Sequence, residues 1–164
     1  MISFHLKSVP ADALKRYYEF AEYYDYEEYE DNEDEETDED KEKSTSEFDI
    51  WQLEETATNS TSFEHDAEQD ADFFRSIQHS YLFSPNLEDD ESGYGVFSPQ
   101  DSQFFAQNFK ELIEGQQKLQ NDLNKYFGDN EKQKEWIKSL ISQRLIPFFE
   151  KAAANNEGFI TEWG

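Results

Sequence analysis

The sequence predicts an α+β fold, helix-rich and in one domain, and three observations carry that prediction. Ile2, Phe4 and Leu6 alternate with Ser3, His5 and Lys7, the period-two pattern of a half-buried strand. In the last third, apolar residues return every three or four positions, which is the period of helices. Phe159-Ile160-Thr161-Glu162-Trp163 alternates again and closes the chain as another strand. A strand at each end implies a small sheet that joins the termini, covered by helices. The 164 residues suffice for one real core and not for two, so residues 1–164 are read as a single domain.

Taken in order, the first strand leads into a helix over about 10–24. Ser8 is its expected N-cap, Pro10 falls in its first turn, and Leu14, Tyr17, Tyr18, Ala21 and Tyr24 follow at helical steps. Residues 30–46 hold no helical apolar pattern, and like charges four apart work against a helix. They are read as an acidic flexible loop or a frayed extension. Phe48, Ile50, Trp51 and Leu53 predict a short helix, ended by Ser60-Thr61-Ser62. Phe73, Phe74, Ile77, Tyr81 and Phe83 predict another, followed by the turn-rich SPNLEDDESGYG. Val96-Phe97 reads as a strand end. Ser98-Pro99 then starts a helix, with Ser at the N-cap and Pro at the first helical position. That helix runs to Phe127 with an interruption near Gly115, and Gly128 caps it. A last helix starts near Asn130 and is kinked or split by Pro147.

Charge is distributed unevenly. The net charge is −25. Residues 98–164 carry eight Lys/Arg against ten Asp/Glu, whereas residues 1–97 carry six against twenty-nine. Nearly the whole field therefore belongs to the first part of the chain. Such a field repels nucleic acid and anionic membrane and speeds encounter with cationic partners. Aromatics make up 16% of residues, too many for acidic disorder, so a folded protein with an acidic surface is expected. There is no cysteine, hence neither disulfide nor thiolate metal site. MISFHLKSVP lacks the pattern of a signal peptide, and no window approaches the roughly 18 apolar residues of a spanning helix. A cytoplasmic location is expected, which makes the Asn59-Ser60-Thr61 sequon incidental.

The candidate catalytic and metal motifs fail on spacing. Asp66, Glu68, Asp70 and Asp72 alternate as in a calcium loop, but the sixth position is Ala71 rather than Gly and the twelfth is Ile77 rather than Glu. His5, His65 and His79 stand at no metal-ligand spacing. The six glycines form no phosphate loop, and no G-x-S-x-G turn is present. Among 39 carboxylates, finding two that resemble an acid/base pair carries no information. No cofactor, metal or catalytic residue is expected.

The stretches GYGVFSPQDSQFFAQNFKEL and LIPFFEKAAANNEGFITEW, with the N-terminal strand and helix, resemble the YfbM-like family of small bacterial α+β proteins. The resemblance covers about the last seventy and the first twenty residues, and its motifs are structural. It implies a bacterial cytosolic origin and an α+β fold, and it carries over no functional residue. The acidic insertion over 25–47 departs from the family pattern.

What stands out chemically is EYYDYEEYEDNEDEETDEDKEK, residues 22–43. One reading is a solvated acidic loop whose tyrosines partly cover the preceding helix, within an enzyme or accessory protein whose function lies elsewhere. The other is a binding face for a basic protein. Tyr23, Tyr24, Tyr26 and Tyr29 would be rigid anchors, and Asp25, Glu27, Glu28, Glu30 and Asp31 would steer and pair with Lys/Arg. Asp89, Asp90 and Glu91 form a second, weaker patch. Cationic grooves belong mostly to proteins that neutralise phosphates, so an acidic occupant would be an inhibitor. The expected function is non-enzymatic: an immunity protein that neutralises a basic toxin, such as a nuclease. The alternative is a DNA mimic that blocks a restriction or defence enzyme.

Overall fold

The two terminal strands lie side by side at the centre of one sheet. In the computed structural model, which describes residues 2–29, 48–65, 73 and 93–163, β1 (Ile2–Pro10) and β4 (Glu157–Trp163) pair antiparallel from Phe4 opposite Trp163 to Pro10 opposite Glu157. Strand β2 (Asn59–His65) pairs with β1, and β3 (Gly93–Phe97) with β4, both antiparallel. The order is β2-β1-β4-β3. Among the described residues the helices are α1 (Ala11–Tyr29), α2 (Ile50–Glu55), α3 (Pro99–Glu114), α4 (Gln116–Phe127), α5 (Glu131–Leu140) and α6 (Ile146–Ala154), with a π-helical turn at Ile141–Leu145 before α6. The predicted helix-rich α+β fold, with a small sheet that includes both terminal strands, is the fold observed.

Alternation along the strands divides the core between the two sheet faces. Phe4, Leu6, Phe63 and Phe159 point to the face covered by α3–α6, where Phe105, Phe109, Leu123, Ile137, Leu145 and Phe149 are buried with them. Phe105 sits among rings: its centroid lies 5.3 Å from Phe149, 5.8 Å from Phe159 and 6.2 Å from Phe97. Phe97 and Phe159, opposed across β3 and β4, stack at 4.6 Å. Aromatic packing of this kind adds stabilisation beyond the area buried. On the other face Val9 and Ile160 are buried with Leu14, Phe48 and Leu53, under α1 and α2. That cover reaches only one end of the sheet. Towards the other end the same face presents His5, Lys7, Ser62 and Glu64, none of them buried.

Local chemistry explains most boundaries. Ser98 caps α3 by accepting from the Asp101 amide at 3.2 Å, while the Asp101 carboxylate accepts from the Ser98 amide at 2.9 Å, a reciprocal capping box with Pro99 following. Asp49 caps α2 in the same way with Gln52. Gly115 separates α3 from α4, Gly128 ends α4 at φ +55°, and the Asn130 side chain caps α5. The split expected at Pro147 takes the form of the π turn. Proline has no N–H to donate and crowds the carbonyl four residues back, and widening the preceding turn relieves both.

Three predicted boundaries are corrected. Ser8 and Pro10 are not a helix start: both belong to β1, where they pair with Phe159 and Glu157. Pro10 is the last strand residue, a position a missing N–H allows. The buried Ser8 hydroxyl lies 3.1 Å from Thr58 Oγ1. Helix α1 continues to Tyr29 rather than ending near 24, since Glu has high helix propensity. Ser60-Thr61-Ser62 does not break structure but forms β2, with Phe63 buried on the core face. The loop over 30–46 lies outside the described residues. Of the helix predicted around Phe73, only Phe73 is described; it is helical and buried, 5.7 Å from Phe127.

Candidate binding surface

The first half of helix α1 is fastened to the domain. Its residues in the second core are Leu14, buried, with Ala13, Tyr17 and Phe20 packed beside it, and the Arg16 guanidinium lies 4.5 Å over the Phe48 ring. All of these precede residue 21. The nine positions that follow carry the tyrosine-acid run as a continuation of one helix about 28 Å long.

That helical geometry redistributes the predicted anchors. Successive positions turn by about 100°, so positions 23, 26 and 29 fall within one arc of about 120°. Position 24 lies on the opposite side. The four tyrosine positions therefore do not make one patch on an intact helix; three do. Positions 25, 27 and 28 are spread around the circumference, on both sides of that arc. Glu30, Asp31, Asp89, Asp90 and Glu91 lie outside the described residues.

Two aromatics that the run did not include extend this surface. Tyr18 is 43% exposed and Phe104 on α3 is 50% exposed, large apolar side chains that the core does not claim. Positions 18, 22, 25 and 29 are spaced as one stripe along α1, so Tyr18 begins the side on which position 29 ends. Partial burial, then the neighbouring Tyr17 ring and the Asp101 carboxylate, push the Tyr18 phenol above its usual range. Asp101 is one turn before Phe104 on α3, so Tyr18 and Phe104 lie towards the same corner of the domain. Trp51 on α2 is also exposed, at 59%. In sequence, Trp51 breaks the inward spacing of Ile50 and Leu53, and Phe104 precedes the buried Phe105. Each is the extra aromatic beside a core position, and that was the signal available.

Two concavities among the described residues are open to solvent. One of about 490 Å³ is lined by Ile113, Gln116, Gln120, Lys138 and Ser142, where the Lys138 ammonium already donates to Gln120 Oε1 at 2.7 Å. Another, also about 490 Å³, wraps the edge of β2 beside His5, Glu64, Trp136 and Arg144. Among the described residues no group of three or more His, Asp or Glu could hold a metal ion, and no helix is long and apolar enough to cross a membrane. No protein family, characterised protein or solved structure matches the chain, so the resemblance to the YfbM-like family rests on the quoted segments alone.

Proposed function

We propose that the protein is a non-enzymatic, cytoplasmic inhibitor that binds a basic protein through the outer half of α1, and that it acts as an immunity protein against a toxin with a cationic groove. The observation that carries this reading is the continuation of α1 through Tyr29. It places three tyrosine positions on one side of a helix, among carboxylates, in line with exposed Tyr18. Rigid aromatic area supplies affinity, and the surrounding charge supplies rate and choice of partner. A cationic groove is complementary on both counts.

A DNA mimic has one observation in its favour. Positions 19, 22, 25, 27 and 28 place five carboxylates on α1, on average about 3.4 Å apart along the axis, close to the phosphate step of one DNA strand. The tyrosines among them speak for a shaped protein contact instead. Binding kinetics with the captured partner separate the readings. For an immunity protein, replacing Tyr26 and Tyr29 by Ala speeds dissociation and leaves association nearly unchanged. Replacing Asp25, Glu27 and Glu28 by their amides slows association and flattens its salt dependence. A mimic loses affinity with the amides alone and tolerates the tyrosine changes. If neither set alters binding, α1 is not the contact surface and the acidic run only solvates.

A further inference from the structure

At the end of the sheet left open by α1 and α2, β1 and β2 present Ser3, His5, Ser62 and Glu64 on one face, and Arg144 from the π turn reaches round the β2 edge towards them. The Arg144 Nη1 donates to the Ser62 carbonyl oxygen at 2.8 Å. This bond satisfies an edge carbonyl and limits strand pairing at that point. It also fixes the guanidinium at the mouth of the groove, where its other N–H donors have no partner among the described residues. Arg144 is exposed, and no ion pair joins it to a described carboxylate, although acids outnumber Lys and Arg by 39 to 14. Trp136, half-buried and edge-on to Phe63 at 6.2 Å, forms an apolar wall beside it. The exposed Glu64 carboxylate lines the same groove from the other side of the β2 edge.

A planar cation beside an indole, opposite a carboxylate, selects for a ligand with a matching order of groups. A guanidinium fork pairs best with a carboxylate. The indole favours an aliphatic or aromatic body, and Glu64 favours an ammonium. The volume of about 490 Å³ lies within the range of small-molecule sites. A free polyanion is a poor fit, because Glu64 and the field of the whole chain repel it. We propose that this groove binds the carboxylate end of an apolar amino acid or peptide, with Arg144 holding the carboxylate and Trp136 the side chain.

The test is an NMR titration that follows the Trp136 indole N–H, the Arg144 side-chain N–H and the Ser62–Glu64 amides. The probes are L-leucine, N-acetyl-L-leucine and L-leucinamide. Leucine is expected to shift these signals saturably, leucinamide is not, and Arg144→Gln is expected to weaken leucine binding about tenfold or more. N-acetyl-leucine distinguishes the two sources. If it binds as well as leucine, the natural ligand is a peptide carboxyl terminus. If it binds more weakly, and Glu64→Gln removes that difference, the ligand is a free amino acid. Because Arg144 also holds the strand edge, Arg144→Lys provides a second variant that keeps the charge and loses the fork, and it too is expected to bind more weakly. Leucinamide binding as well as leucine, the absence of saturable shifts up to about 20 mM (a Kd there corresponds to about 2.3 kcal/mol), or unchanged binding by a folded Arg144 variant would overturn the proposal.

Discussion

Thr161 offers a sharp test of the packing, because the expected effect is a gain in stability. It lies on β4, fully buried, opposite Leu6 of β1 and Gly95 of β3. Its Oγ1 is enclosed and finds no hydrogen-bond partner among the described residues, and it faces the space that a side chain at Gly95 would fill. An unpartnered buried hydroxyl costs about 1–3 kcal/mol. Thr161→Val replaces it with a methyl group of nearly the same shape and adds about 0.8 kcal/mol of burial. Contact with Gly95 offsets part of that gain, so a net stabilisation of about 1–2 kcal/mol is expected. For a chain of this size this raises Tm by about 3–6 °C. Thr161→Ser keeps the hydroxyl and loses a buried methyl, so it is expected to lose about 1 kcal/mol. Urea unfolding of the three proteins should rank them Val, Thr, Ser with unchanged slopes. A Val variant less stable than the parent would show that the hydroxyl is paired and that the account of this layer is wrong.

Other expectations follow from the same geometry. Gly158→Ala drives a methyl into the Phe97 carbonyl oxygen and Leu14, so it should lose more than about 2 kcal/mol in urea unfolding; a neutral result would mean that β3 and β4 separate freely. Phe105→Ala opens a cavity among five phenyl rings and should lose about 3–5 kcal/mol, whereas Phe104→Ala, at an exposed position, should stay within about 0.5 kcal/mol. Lys7 bridges Glu54 and Glu162. Burial works against its ammonium, yet pairing with Glu54 and then Glu162 outweighs it and holds the pKa above 10.5. A raised folded pKa gives stability that is complete below the unfolded pKa and lost as pH rises through the folded one. Stability should therefore decline above about pH 10, and Lys7→Met should flatten that decline; an identical alkaline slope would remove Lys7 as its cause.

How much of this was legible in sequence depends on what decides each residue. Ser98-Pro99, Gly115, Gly128 and Asn130 act locally, through capping and φ preference, and each marks the boundary it predicts. Pro147 is local too, but whether it kinks or widens a helix depends on the neighbouring turns, and here widening won. Ser8 and Pro10 mislead because their local signal favours a helix start, while the pairing that holds them in a strand comes from residues about 150 positions away. Thr61 and Phe63 alternate with Ser60, Ser62 and Glu64, which is the signature of an edge strand, but three consecutive hydroxyl residues read first as a break. The candidate surface was legible in composition and not in arrangement. Tyrosine and acid could be read off directly, whereas the division of positions 23, 26 and 29 from 24 required knowing that the helix persists to Tyr29. Adjacency marked one of Phe104 and Phe105 as the extra aromatic, but which of them faces out, and that Tyr18 does, became clear only once Leu14 and Phe105 were seen to occupy the core.

The most direct test of the central claim is capture of the partner from the cells that make this protein, at low salt, with washes raised stepwise to about 0.5 M, where the Debye length falls to about 4 Å. The intact protein and a variant with Tyr18, Tyr26 and Tyr29 replaced by Ala are compared side by side. A shaped interface predicts one basic protein that the intact chain keeps through the last wash and the variant releases early. If basic proteins elute from both as a mixture at the first salt steps, or if the variant holds the same protein equally well, the tyrosine-bearing side of α1 is not the binding surface.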